Sequence, residues 1–445
     1  MKVVVVGCTH AGTAAIKNIK ALDPTIDITV YERNDNISFL SCGIALYVGG
    51  VVKNQNELFY SSPEELKQLG VNTNMRHEVL SIDYQNKTLE VRNLETDDVK
   101  TDHFDKLVIA TGSWPIIPPI EGIRSENVLL SKNFNHANEI IAHASHVQKI
   151  AVVGAGYIGV ELAEAFEMMG KEVVLIDAED RIMPKYLDKE FTDRAEKAFT
   201  DHGITLALGQ KVKGFTVSKD QVTHISTDKE TFEVDMVIMC VGFRPNTQLF
   251  KNDLDTTPNG ALIVNEYMQT SNPDVYACGD CANIYYNPTK ESKYIPLATN
   301  AVRMGTLVGL NIKGPNVKYV GTQGTSGIKI YNWSISSTGL TEGVAKDAGI
   351  NYGTVTVTDN NRPEFMPTYD EVTLKIVFDK NSRRILGGQI ISESDVTEKI
   401  NTLSVCIQKE MTVEELAFVD FFFQPHFNKP WGLLNLAGLA ALNIK

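Results

Sequence analysis

The sequence predicts an α/β fold built on a duplicated strand–turn–helix unit and closed by a smaller α+β domain. Three observations predict it. KVVVVGCTHAG from Lys2 and KIAVVGAGYIG from Lys149 run in phase: Lys2 matches Lys149, Gly7 matches Gly154 and Gly12 matches Gly159, always 147 residues apart. Each copy continues into a helix and a second apolar strand that ends on an acid, Glu32 or Asp177, 25 and 23 residues after its first glycine. From about residue 321 the texture changes to strand-like runs and one amphipathic helix.

MKVVVVG reads as a first strand, since its apolar run is too short for the core of a secretory signal. TAAIKNIKAL reads as the following helix and ITVYE as the second strand. In the second copy VELAEAFEMMG and VVLID repeat that order. The second loop, Gly154-Ala155-Gly156-Tyr157-Ile158-Gly159, is a complete G-x-G-x-x-G, whereas the first has Thr9 at the middle glycine, next to His10. Such loops seat a pyrophosphate on free N–H groups at a helix N-terminus, and glycine lets backbone and phosphate approach. The acid about 20 residues on holds a ribose hydroxyl. Two in-phase copies therefore predict two dinucleotide sites, the first with the less complete grip. Asp177 would accept from a free 2′-hydroxyl and repel a 2′-phosphate, which favours NADH over NADPH. The bland alternative is an exposed acid at a strand end. In the last region IKIYNWSISSTG, INYGTVTV, TLKIVFD and RILGGQII read as strands. TEKINTLSVCIQKE reads as a helix with Ile400, Leu403 and Ile407 on one face.

At 445 residues the chain is too long for one core, so two or three domains are expected. Composition is 43% hydrophobic and 22% charged, ordinary for a globular protein. A net charge of −13 argues against nucleic acid or an anionic membrane surface as partner. No apolar run is long enough to span a membrane. With no targeting segment apparent, the cytoplasm is the expected location. Six cysteines, at 8, 42, 240, 278, 281 and 406, are too sparse for a disulfide framework and suit a reducing compartment. Cys278 and Cys281 form a C-x-x-C with no second pair, so no metal site is expected. Cys8, Cys240 and Cys406 lie in apolar contexts and read as structural.

Several segments resemble the flavin disulfide reductase family, in motif order and across essentially the whole chain. DKLVIATGSWP (105–115) is similar to the family's A-T-G segment, CVGFRPNT (240–247) to the segment leaving its NAD domain, and VYACGDCA (275–282) to its last FAD motif. The resemblance implies two Rossmann-like domains, with an FAD domain (1–117 and 244–320) split by an inserted NADH domain (118–243), and a C-terminal domain (321–445) that makes a homodimer. It implies FAD contacts at Gly7, Thr9, His10, Ala11, Gly12, Glu32, Arg33, Cys42, Val79, Ala110, Thr111, Gly112, Ser113, Lys132, Ala298 and Thr299, with Asp280 on the ribityl chain. It implies NADH contacts at Gly154, Gly156, Tyr157, Ile158, Gly159, Asp177, Tyr186 and Gly242.

SFLSCGIALY (38–47) raises the question of mechanism. Cys42 reads as the start of a short helix capped by Ser38 or Ser41, where free N–H groups and the helix dipole would favour thiolate. Two-thiol members of the family carry C-x4-C here; this chain has Tyr47 at the second position. A thiolate without a resolving partner can be oxidised by peroxide to sulfenic acid and later reduced. That chemistry resembles the single-cysteine branch: water-forming NADH oxidase, with NADH peroxidase and coenzyme A disulfide reductase as alternatives. A redox-sensing flavoprotein is a reading from another class. The expected substrate is then O2. In such relatives the residue matching His10 lies beside the sulfenate, which implies proton management. FFFQPHFNKPW (421–431) is similar to the family's C-terminal signature; His426 would act as a base across the dimer or border the flavin. Phe421, Phe422 and Phe423 read as interface core.

Overall fold

The computed structural model describes residues 1–443. The strand of each glycine unit lies at the centre of a five-stranded parallel sheet. In the first sheet the order is Val275–Ala277, Lys106–Ile109, Lys2–Val6, Asp27–Glu32, Val71–Met75. In the second it is Thr205–Ala207, Glu172–Ile176, Lys149–Val153, Met236–Met239, Val128–Leu130. Both central strands are buried along nearly their whole length, as a parallel sheet covered on both faces requires.

The glycines sit where the chain leaves those strands. Gly7 has φ +93° and Gly154 φ +108°, and a Cβ on either would lie 2.3 Å from the carbonyl of Ala110 or Cys240, respectively. Only glycine combines this left-handed backbone with so close an approach. The helices His10–Leu22 and Tyr157–Met168 then begin. A chain-distant helix, Ala298–Asn311, lies against the first of them, where Gly305 and Gly309 let the two backbones touch. Between the lobes runs a two-stranded ribbon, Ser113–Pro115 with Phe243–Pro245.

The C-terminal region forms an antiparallel sheet in the order Ser326–Ile330, Trp333–Gly339, Ile385–Ser392, Glu371–Asp379, Tyr352–Asn360. IKIYNWSISSTG, read above as one strand, is a hairpin that turns at Tyr331 (φ +48°). The expected helix spans Lys399–Gln408 and buries Ile400, Leu403 and Ile407. Among the described residues no helix is long and apolar enough to cross a membrane.

The segment around Cys42 takes an unexpected side. Phe39, Ile44, Ala45, Val48 and Leu58 join the core of the second lobe, with Ile140, Val160 and Phe166, and with Ile328, Ile335 and Ile391 of the C-terminal sheet. A Cβ on Gly49 would stand 3.3 Å from Ala165, so the Ile44–Val48 helix lies close against Tyr157–Met168.

Candidate active site

Both glycine loops open on one cavity of about 960 Å³. From the first lobe it is lined by Gly7, Thr9, His10, Ala11, Glu32 and Arg33, by Cys42 and Val79, and by Ala110, Thr111, Gly112 and Ser113. Lys132, Asp280, Ala298 and Thr299 complete that side, and Gly156, Tyr157, Ile158, Tyr186 and Gly242 line the other. Gly12 and Gly159 lie beneath the loops: a Cβ there would collide with the carbonyls of Gly7 and Gly154. Gly154 and Asp177 also stand back from the lining.

The two acids do the same local work. Glu32, buried, accepts from the backbone N–H of Cys8 at 2.7 Å and of Asn34 at 2.8 Å. Asp177 accepts from the N–H of Ala155 and from Glu179 N at 2.8 Å. In each unit the strand-end carboxylate therefore ties down the residue that follows the first glycine. Burial pushes the Glu32 carboxyl up, against the hydrogen bonds that pull it down.

Cys42 corrects the sequence reading. It lies in the 3-10 turn Ser41–Gly43, ahead of the Ile44–Val48 helix, and neither serine caps it. Ser38 (φ +58°) instead donates to the Ser61 carbonyl at 2.7 Å and accepts from its N–H at 2.9 Å. A backbone N–H does pull the thiol pKa down, but burial outweighs it. Cys42 is exposed, but toward the cavity it lines, and the protein around it still strips water from the sulfur. That burial pushes the thiol up; Glu161 adds to the rise and Lys132 opposes it. Tyr47 turns its hydroxyl toward Gln55 and Asn138 at 3.2 and 3.3 Å.

His10 stacks on Tyr60, and its Nδ1 lies 3.1 Å from the Tyr60 hydroxyl. Its Nε2 is buried without a protein partner. Burial holds its pKa below the ordinary value; Asp280 works against that and Lys132 with it. Lys132 donates to Ser113 Oγ at 2.9 Å and reaches Asp280 at 3.3 Å, while Ser113 donates to Asp280 at 2.8 Å. His426 is exposed, bonded to Gln424, and away from the cavity in this chain. Cys8 and Cys406 are buried as expected, but Cys240 borders the cavity. Cys281 donates to the Cys278 carbonyl, and no metal-ligating cluster occurs among the described residues.

Sequence reading missed Tyr60 and Glu161. Glu161 lines the cavity one turn beyond Tyr157, and its carboxyl is raised to about 7, first by burial and then by Glu164. Its i+4 spacing from Tyr157 on one helix face was a usable signal. Tyr60 lies 50 residues from His10 with no pattern linking them.

The cavity fits a pair of nucleotides. A Cβ on Gly112 or Gly156 would meet open space. His10 and Ser131, which line it, each keep one buried polar atom, Nε2 and Oγ, without a protein partner. Such a site, on two doubly wound lobes with one exposed thiol, defines a pyridine-nucleotide oxidoreductase.

The chain belongs to the pyridine nucleotide-disulphide oxidoreductase family, which matches residues 1–305, with that family's dimerisation domain matching 325–432. It is 56% identical to an NADH oxidase of Enterococcus faecalis, over 99% of each chain. It superposes on the water-forming NADH oxidase of Lactobacillus brevis bound to NADH with a TM-score of 0.98, at 54% identity, covering 100% of this chain and 98% of that one. An engineered water-forming NADPH oxidase derived from the latter matches with the same TM-score at 53% identity, over 100% and 98% of the chains; one of its substitutions replaces an aspartate by alanine.

Proposed function

We propose that this chain is an FAD-dependent NADH oxidase that passes four electrons from two NADH to O2 and releases water. The observation that carries the reading is the shared cavity: both glycine loops open on it beside Cys42, the one cysteine of six that is exposed. The Enterococcus and Lactobacillus relatives support it.

The first loop, Glu32 and the Ser113–Lys132–Asp280 set would hold FAD, with Asp280 toward the ribityl chain. When bound, FAD takes the electron pair from the nicotinamide and supplies it to oxygen and to sulfur. The second loop, with Tyr157 and Tyr186 in edge contact at 4.7 Å, would seat NADH. Asp177 would select the free 2′-hydroxyl, consistent with the aspartate replaced in the NADPH-using relative. Cys42 as thiolate takes one oxygen atom from hydrogen peroxide and releases water (S⁻ + H2O2 → SO⁻ + H2O). One NADH and one proton return the sulfenate to thiolate with a second water. His10 carries the protons, its depressed pKa keeping it a base at neutral pH.

The working form is a homodimer. The dimerisation match covers 325–432, and within it Phe422, Phe427 and Trp431 stand 69%, 66% and 50% exposed in the single chain. Such aromatics are characteristic of interface cores. His426 lies among them, where it would face the partner. A reducing compartment, the cytoplasm, suits a catalyst that depends on a free thiol.

Oxygen and NADH consumption measured together, with peroxide assayed in parallel, tests the reading. Two NADH per O2 without peroxide is expected. Equal consumption with stoichiometric peroxide would overturn the water-forming assignment.

A further inference from the structure

We propose that Tyr60 is a positioning residue: its hydroxyl accepts the Nδ1 proton of His10 and so fixes the tautomer with a bare Nε2. The inference deepens the reading of His10 as a proton carrier and rests on it.

Tyr60 Oη lies 3.1 Å from His10 Nδ1 and 3.4 Å from the Thr9 carbonyl oxygen. A phenol has one proton to donate, and a carbonyl can only accept. With the Tyr60 proton on Thr9, the lone pairs of Oη are what remain for His10. Nδ1 must then bring the proton to that bond, and Nε2 carries none. The two rings lie nearly parallel, 4° apart with centroids at 5.7 Å, so stacking holds the imidazole plane as well.

The consequence is chemical. The Cys42 thiol lines the same cavity and is pushed up by burial. A ring with a bare Nε2 can accept a proton as that thiol ionises; one with Nε2–H cannot. The charged groups that bear on the ring are Asp280 and Lys132, of opposite sign and 3.3 Å apart, with Tyr60 as its titratable contact. Burial, the largest influence on the ring, lowers its pKa; Asp280 raises it and Lys132 lowers it.

Histidine-selective 15N labelling of the FAD-loaded enzyme, with His10→Gln to assign the signal, reads which ring nitrogen is protonated. Nδ1–H is expected in the wild type. Tyr60→Phe should move His10 toward Nε2–H, the form free imidazole side chains favour. The same variant should lower kcat about tenfold, the scale of one lost hydrogen bond, with KM for NADH unchanged. The acid limb of its kcat profile should move to lower pH, because an acceptor at Nδ1–H stabilises imidazolium more than imidazole. Nε2–H in the wild type, or a tautomer unchanged in Tyr60→Phe, overturns the proposal. The wild-type spectrum decides it even if Tyr60→Phe folds poorly. If the tautomer is as stated but His10→Gln turns over at the wild-type rate, the hydrogen-bond assignment stands and the proton-carrier reading fails.

Discussion

Replacing Cys42 by serine isolates the sulfur step. The hydroxyl is nearly isosteric, is not ionised at neutral pH and cannot take oxygen from peroxide. Cys42→Ser should keep NADH oxidation and release hydrogen peroxide, consuming about one NADH per O2. A peroxide assay that still found only water would place O–O cleavage elsewhere. Glu161 supplies a pH test. Its folded pKa of about 7 lies above the unfolded 4.5, so its contribution to stability is present below 4.5 and lost as pH rises through 7. The shift corresponds to about 3 kcal/mol at most. Thermal melts of Glu161→Gln should therefore fall less between those pH values than the wild type; parallel curves would remove Glu161 from this role. At this scale the sequence showed Cys42 and His10, because each stands in a motif. It could not show Tyr60, which reaches His10 only through the fold, nor that Ser38 spends its hydroxyl on Ser61.

The glycine units were the most legible elements, since strand, turn, helix and acid recur in order. What the spacing did not disclose is that Glu32 and Asp177 also anchor their own loops, a contact visible only once the second strand lies parallel to the first. Asp177→Ala should thus have two effects. The preference for NADH over NADPH should narrow, and kcat/KM for NADH should fall about tenfold or more, as loss of hydrogen bonds to a charged group implies. Kinetics with both nucleotides check this, and an unchanged preference would remove Asp177 from the ribose. The hairpin at Tyr331 escaped the sequence because Tyr-Asn carries none of the glycine that marks tight turns.

Across the whole molecule the second lobe and the C-terminal domain are joined by a buried cation. The Lys375 side chain is 3% exposed and meets Asp188 at 3.1 Å, with Glu190 and Glu342 each at 2.8 Å. Asp188 further accepts from Gln389 and from the Glu342 N–H. Lys375→Met should cost about 3 kcal/mol, mainly by leaving Asp188 buried without its countercharge. Denaturant unfolding of the variant checks this, and a loss below about 1 kcal/mol would make the cluster a solvated one. No sequence pattern joins residues 188 and 375, so the cluster was out of reach of motif reading. The placement of residues 39–58 was equally hidden, and it carries a mechanical consequence. By chain order Cys42 travels with the first lobe; by packing it rides on the second. The turn that holds the sulfur is thereby pinned to both lobes at once: the Ser38 N–H donates to the Cys8 carbonyl at 3.0 Å, and Ile44, Ala45 and Val48 seat in the core of the second lobe. A substitution that loosens either anchor moves the sulfur relative to both nucleotide loops.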